Sequence, residues 1–208
     1  MDRLLESYKT LLHLGTQVRF FIEVHDSFTN NEKTLNEIKF SGHYSNLPFV
    51  KAISGSLLNY SLIIAASFVD EYNREFTASK HPKFKERIER LKLITKPAMR
   101  RINKWTNLKD YRNYILAHSF RVKGQSVFAK DFQPFHFNAP HTNSEIILLT
   151  ELLKIIATCI TDEFPELVDK LDWSENLLTK MTFDSTEVNI AQEITEIWTQ
   201  IKSIKATD

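Results

Sequence analysis

Residues 48–76 read PFVKAISGSLLNYSLIIAASFVDEYNREF, and this stretch decides the fold. Pro48 lacks only a donor that the first turn of a helix leaves unsatisfied anyway, so it can open a helix. From Phe49 to about Phe76 the apolar residues Leu57, Leu58, Leu62, Ile63, Ile64, Ala65, Ala66, Phe68 and Val69 cover most faces rather than one stripe. A helix that is apolar nearly all round is buried among other helices. Its far end turns acidic and polar, with Asp70, Glu71, Tyr72, Asn73 and Glu75, as a helix end facing a cleft would.

On the N-terminal side, Leu4, Leu5, Tyr8, Leu11, Leu12, Val18, Phe21 and Ile22 recur at three- and four-residue steps, which predicts a helix over 4–28. Gly15 and Thr16 should loosen its middle. His13 and His25 fall within this pattern and read as packing or surface histidines. The weakly periodic 29–47 segment predicts a loop with a short helix around 34–40. On the C-terminal side, His81-Pro82 restarts the chain and 83–93 reads as a basic amphipathic helix. Pro97 precedes another turn over 99–105. Thr106-Asn107 supply a cap, with Asp110 in the first turn of the next helix.

Beyond Phe120 the pattern alternates across Gly124, which predicts a small hairpin or extended loop. The whole of 121–141 reads as an embellishment. His136 and His141 lie five apart in it without a third ligand nearby, so no metal centre is expected. Thr142 to Glu145 has capping-box spacing and opens an apolar helix over 146–163. A short helix around 167–171 and a final amphipathic helix over 188–204 follow. The chain shows no repeat, no glycine-rich phosphate loop and no Cys/His zinc pattern. These readings converge on a single all-α domain over 1–208, an up-and-down helical bundle.

Composition agrees. Of 208 residues, 42% are hydrophobic and 25% charged, with four glycines and six prolines, proportions that favour long helices over turn-rich sheets. The one cysteine, Cys159, excludes an internal disulfide and reads as a packed small hydrophobe. No apolar run was expected to reach the roughly 20 residues of a membrane span, and the first residues, Met-Asp-Arg-Leu-Leu-Glu, show no signal-peptide pattern. The expectation is a soluble cytoplasmic protein. The formal net charge of +1 conceals an asymmetry. Residues 83–112 hold eleven Lys/Arg against three acids, a balance of +8, and 145–196 hold three Lys against twelve acids, a balance of −9. The basic run, with Arg100, Arg101, Lys104 and Lys109, suits RNA. Alternatively, the two segments neutralise each other within the fold.

That basic run ends in Asp110-Tyr-Arg-Asn-Tyr-Ile-Leu-Ala-His-Ser-Phe120. Arg112 is a permanent cation whose planar fork can grip a phosphate. His118 can give or take a proton near neutral pH. One group to neutralise a phosphate and one to move a proton suffice in principle to cut a phosphodiester. On a straight helix six residues rotate by about 120° and rise about 9 Å. Arg112 and His118 therefore do not stack on one stripe, whereas Tyr114 and His118 do.

Arg112-Asn113, four residues and then His118 resemble the motif of the HEPN superfamily, closest to its prokaryotic abortive-infection type. The convincing similarity spans residues 57–120. One departure is Leu116, where some HEPN toxins carry a tyrosine. The resemblance implies an all-helical, usually dimeric, metal-independent ribonuclease with Arg112, Asn113 and His118 as catalytic residues and no cofactor. It further implies that a carboxylate on the partner helix orients the arginine, which makes Asp70 and Glu71 candidates, with Tyr114 in support. An antitoxin or a nucleotidyltransferase would be a natural partner. Two other readings stay open: a helical interaction module in which the motif is structural, and a nucleotide-binding subunit.

Overall fold

A computed structural model of the chain describes residues 2–35, 37, 48–113, 121–122, 125–126, 136–171 and, near the C-terminus, 189, 191, 192, 195, 197 and 199. The fold is all-α. Its elements are α1 (Asp2–Asn30), α2 (Glu32–Leu35), α3 (Phe49–Arg74), a 3-10 turn (Pro82–Phe84), α4 (Lys85–Ile94), α5 (Lys96–Ile102), α6 (Leu108–Tyr111), α7 (Asn143–Glu163) and α8 (Pro165–Val168). A ladder of two short strands, β1 (Arg121–Val122) and β2 (Gln125–Ser126), pairs Arg121 with Ser126 in antiparallel register. The alternation across Gly124 predicts a small hairpin or an extended loop here, and residues 123–124 lie outside the described residues.

The chain divides into two compact units, Met1–Leu171 and Asp172–Asp208, where the sequence reads as one domain. In the second unit, residues 191, 192, 195, 197 and 199 are helical, within the expected final helix.

In the first unit α1 packs along α3, and α7 lies against α1, α3, α4 and α5. The core is built from the apolar faces of these helices: Leu4, Tyr8 and Leu11 of α1, Leu62, Ala65 and Phe68 of α3, and Leu149, Leu153, Ile156 and Ile160 of α7 are all buried. α1 runs unbroken through Gly15. A helical glycine costs about 1 kcal/mol relative to alanine, and packing against α3 covers it: a Cβ there would meet only the Phe68 ring edge, at 3.7 Å. Thr142 caps α7 by accepting from the Glu145 amide while the Glu145 carboxylate accepts from the Thr142 amide, the reciprocal box its spacing predicts.

By length and composition α3 is long and apolar enough to cross a membrane, although Ser54, Ser56, Asn59 and Ser61 interrupt its apolar run. Ser56 and Ser61 return their hydroxyls to carbonyls one turn back, Ala52 and Leu57, which hides their polarity. The buried side of α3, from Ser61 to Tyr72, packs into the core.

Candidate functional site

Leu108 is buried and anchors the single turn of α6. The backbone then widens into a π-type turn at Arg112 and Asn113, a conformation frequent at functional sites. Tyr114 and His118 lie outside the described residues, and the straight-helix relation between Arg112 and His118 falls there with them.

Arg112 crosses from the motif to the central helix. Its Nη1 donates to Asp70 Oδ2 at 3.0 Å and its Nε to Asn113 Oδ1 at 3.0 Å. The Arg112 and Asp70 side chains are 17% and 26% exposed, so this is a partly buried, charge-assisted contact rather than a solvated surface pair. Of the two candidate carboxylates the structure brings only Asp70 to the arginine. Glu71, one residue on, faces α1 and accepts a hydrogen bond from Ser7 Oγ. Successive helix positions point about 100° apart, so neighbouring acids cannot both serve one partner.

Asp70 is a node. Besides Arg112 it meets Lys109 Nζ at 3.5 Å and Arg74 Nε at 3.8 Å through Oδ1. Three cations around one carboxylate leave two positive charges in excess, an arrangement suited to an anion. Arg112 has five N–H donors, and only Nε and Nη1 have partners among the described residues. A cavity of about 370 Å³ opens beside this node, lined by Asp70, Asn73, Asn103, Thr106 and Lys109, with Trp105 in its wall. Among the other basic candidates, Arg100 and Lys104 are exposed and Arg101 lies over the Trp105 ring at 4.1 Å.

The end of the embellishment folds back onto the motif. The Asn138 amide donates to Asn107 Oδ1 (3.1 Å), the Asn107 amide to the Asn138 carbonyl (3.0 Å), and Asn138 Nδ2 to the Lys104 carbonyl (2.8 Å). Phe137 meets the Tyr111 ring edge-on at 5.2 Å, and burial raises the Tyr111 phenol pKa. Tyr111 is thus a packing residue.

Comparison with protein-family models, curated proteins and solved structures found no match. The site therefore rests on its own geometry. Among the described residues no three His, Cys, Asp or Glu side chains gather as a metal would require. His141 instead lies against Glu145, Nδ1 to Oε2 at 3.1 Å.

Sequence reasoning missed the Asn107–Asn138 clasp, which joins residues 31 apart and at which only the two asparagines hinted through turn chemistry. The fate of Arg87 and Arg90 follows the alternative reading of the charge asymmetry. Arg87 Nη1 meets Glu166 Oε1 at 2.6 Å and Arg90 Nη2 meets Glu163 Oε2 at 2.6 Å, while Arg87 also reaches the Glu163 carboxylate and backbone carbonyl. The hydrogen bond to Arg87 holds the Glu166 carboxyl below its ordinary range. Part of the basic run and part of the acidic run neutralise each other.

Proposed function

We propose that this chain is a metal-independent endoribonuclease of HEPN type, acting in the cytoplasm as a homodimer in phage defence or a toxin–antitoxin pair. The observation that carries the reading is the Arg112–Asp70 bridge. A carboxylate on α3 holds the motif arginine and leaves donors for a phosphate, at a node of three cations beside a cavity that Asp70 and Lys109 help to line. Arg112 stabilises charge developing on the phosphorane, and Asn113, held by Arg112 Nε, positions the phosphate or the histidine. His118 moves the proton of the ribose 2′-hydroxyl or of the leaving oxygen, with Tyr114 in support. An internal 2′-hydroxyl nucleophile needs no metal and makes RNA the substrate. One copy supplies one motif histidine, and a two-fold dimer would set two motifs across a shared groove.

His118→Ala should lose about 10²–10⁴-fold in cleavage rate while folding normally, and wild-type activity should survive EDTA. Unchanged cleavage by purified His118→Ala protein would sink the proposal. Light scattering checks the dimer, and recovered activity in mixed Arg112→Ala and His118→Ala chains would show a shared grip.

A second reading draws on the same bridge. Arg112–Asp70 also clamps α6 to α3, as it would in a non-catalytic helical module that binds a nucleotidyltransferase or an antitoxin. Arg112→Ala that lowers the melting temperature of a protein with no nuclease activity would favour that module.

A further inference from the structure

A second basic cavity lies apart from the motif. It has a volume of about 260 Å³ and is lined by Arg3, Leu4, Lys80, His81, Pro82, Lys83 and Phe84. It shares no lining residue with the cavity beside Asp70. It forms where the first turn of α1 meets the segment between α3 and α4. Three cations and an imidazole line it, and no carboxylate does.

The charges there are poorly compensated. Lys80 Nζ has Glu75 Oε2 at 3.2 Å, whereas Arg3 and Lys83 have no carboxylate partner among the described residues. Both are exposed. Arg3 also sits in the first turn of a 29-residue helix, the positive end of its dipole, where a cation is disfavoured unless an anion joins it. His81 is the fixed element, buried at 7% exposure. Its Nε2 lies 3.0 Å from the Glu75 carbonyl, so that nitrogen carries the proton, and Nδ1 has no hydrogen-bond partner among the described residues. Burial pushes the imidazole pKa down against the opposing pull of that carbonyl. Leu4, Pro82 and Phe84 add an apolar wall.

We infer that this cavity is a binding site for a phosphate or diphosphate group, gripped by Arg3 and Lys83 with Lys80 at its rim. Two uncompensated cations match a dianion. The arginine fork offers parallel hydrogen bonds that a phosphate accepts better than a monovalent ion does. The group could be free or carried by a nucleotide, and both forms present the same oxygens. The site does not depend on the nuclease reading.

The test is calorimetric titration of the full chain at low salt with pyrophosphate, with AMP and with adenosine. Pyrophosphate or AMP should bind with a Kd below about 1 mM, and adenosine should not bind. Binding of both anions marks a general phosphate site, and binding of AMP alone marks a nucleotide-borne one; either supports the inference. The Arg3→Ala/Lys83→Ala double variant changes only exposed side chains, so it should keep the wild-type circular dichroism. It should weaken binding by about tenfold or more, a loss of about 1.4 kcal/mol. Arg100→Ala/Arg101→Ala should leave the affinity unchanged. No saturable binding of either anion, or equal affinity in the Arg3→Ala/Lys83→Ala protein, would overturn the inference.

Discussion

At the scale of single residues, Asp70 decides whether Arg112 is a catalytic group or a strut. Its carboxylate takes Arg112 through one oxygen and Lys109 and Arg74 through the other. Asp70→Asn keeps the shape but removes the charge that fixes the guanidinium. Cleavage should fall by about 10–10²-fold, the cost of a small misplacement at a reacting centre, with little change in melting temperature. A variant as active as wild type would mean that the bridge is structural. Lys92 poses a different residue-scale question. Its ammonium lies 3.2 Å from the Tyr72 ring centre and donates to the Tyr72 carbonyl in the last turns of α3. Both contacts favour the charged form, yet burial pulls the pKa from 10.5 down to about 7. Between those values the unfolded chain holds a proton that the folded chain has released, so this group makes stability rise with pH. Below about pH 7 both states are protonated and the cost of burying the charge is fully present. Urea melts at pH 7 and pH 9 should therefore show a gain in stability that Lys92→Met lacks. Equal pH slopes for the two proteins would show that the ring and carbonyl hold the ammonium charged.

At the scale of elements, the join between α4 and the end of α7 is made by charge. Glu163 is 5% exposed in its side chain and receives both Arg87 and Arg90, while Arg87 also stacks on Phe164 at 4.2 Å. Glu163 is the buried member of this cluster, whereas the Arg87 and Arg90 side chains are 36% and 67% exposed and can turn to solvent. Glu163→Gln should therefore destabilise by about 1–3 kcal/mol, the loss of charge-assisted hydrogen bonds, read as a lower urea midpoint. Less than about 0.5 kcal/mol would mean that solvent reaches the cluster freely. The helices themselves were legible because periodicity and caps are local: the spacing of Leu4, Tyr8 and Leu11, Pro48 before α3, and Thr142 with Glu145. What spacing could not show was partnership across the chain. The charge runs announced that Arg87 and Glu163 could meet but not that they do. Nothing local distinguished Asp70 from Glu71, since their roles depend on which neighbour each faces. Of the expected catalytic set, Arg112 and Asn113 are found in contact with one another, while the placement of His118 rests on the resemblance alone.

At the scale of the whole molecule, these pairings set how the chain should meet a polyanion. Eleven basic residues lie between 83 and 112, but few are free to neutralise RNA. Arg87 and Arg90 are held by Glu163 and Glu166, Lys109 and Arg112 meet Asp70, Lys85 pairs with Glu89, and Lys92 is enclosed by α3. Lys83, Lys96, Arg100, Arg101 and Lys104 have no ion pair among the described residues. Each phosphate neutralised on a single strand contributes about −0.7 to the slope of log affinity against log salt, so five unpaired cations and the two charges in excess around Asp70 predict about −5 per protomer, against about −8 for all eleven. Arg100→Glu/Arg101→Glu should make the slope shallower by at least about 1.4, two contacts' worth. It should weaken binding to all RNA sequences alike, because phosphate contacts carry no base information. Filter binding of a single-stranded RNA by His118→Ala protein, which should bind without cutting, measures both quantities across a salt series. A slope near −8 per protomer would mean that RNA pulls Arg87 and Arg90 away from Glu163, and a salt-independent interaction would remove RNA as the partner.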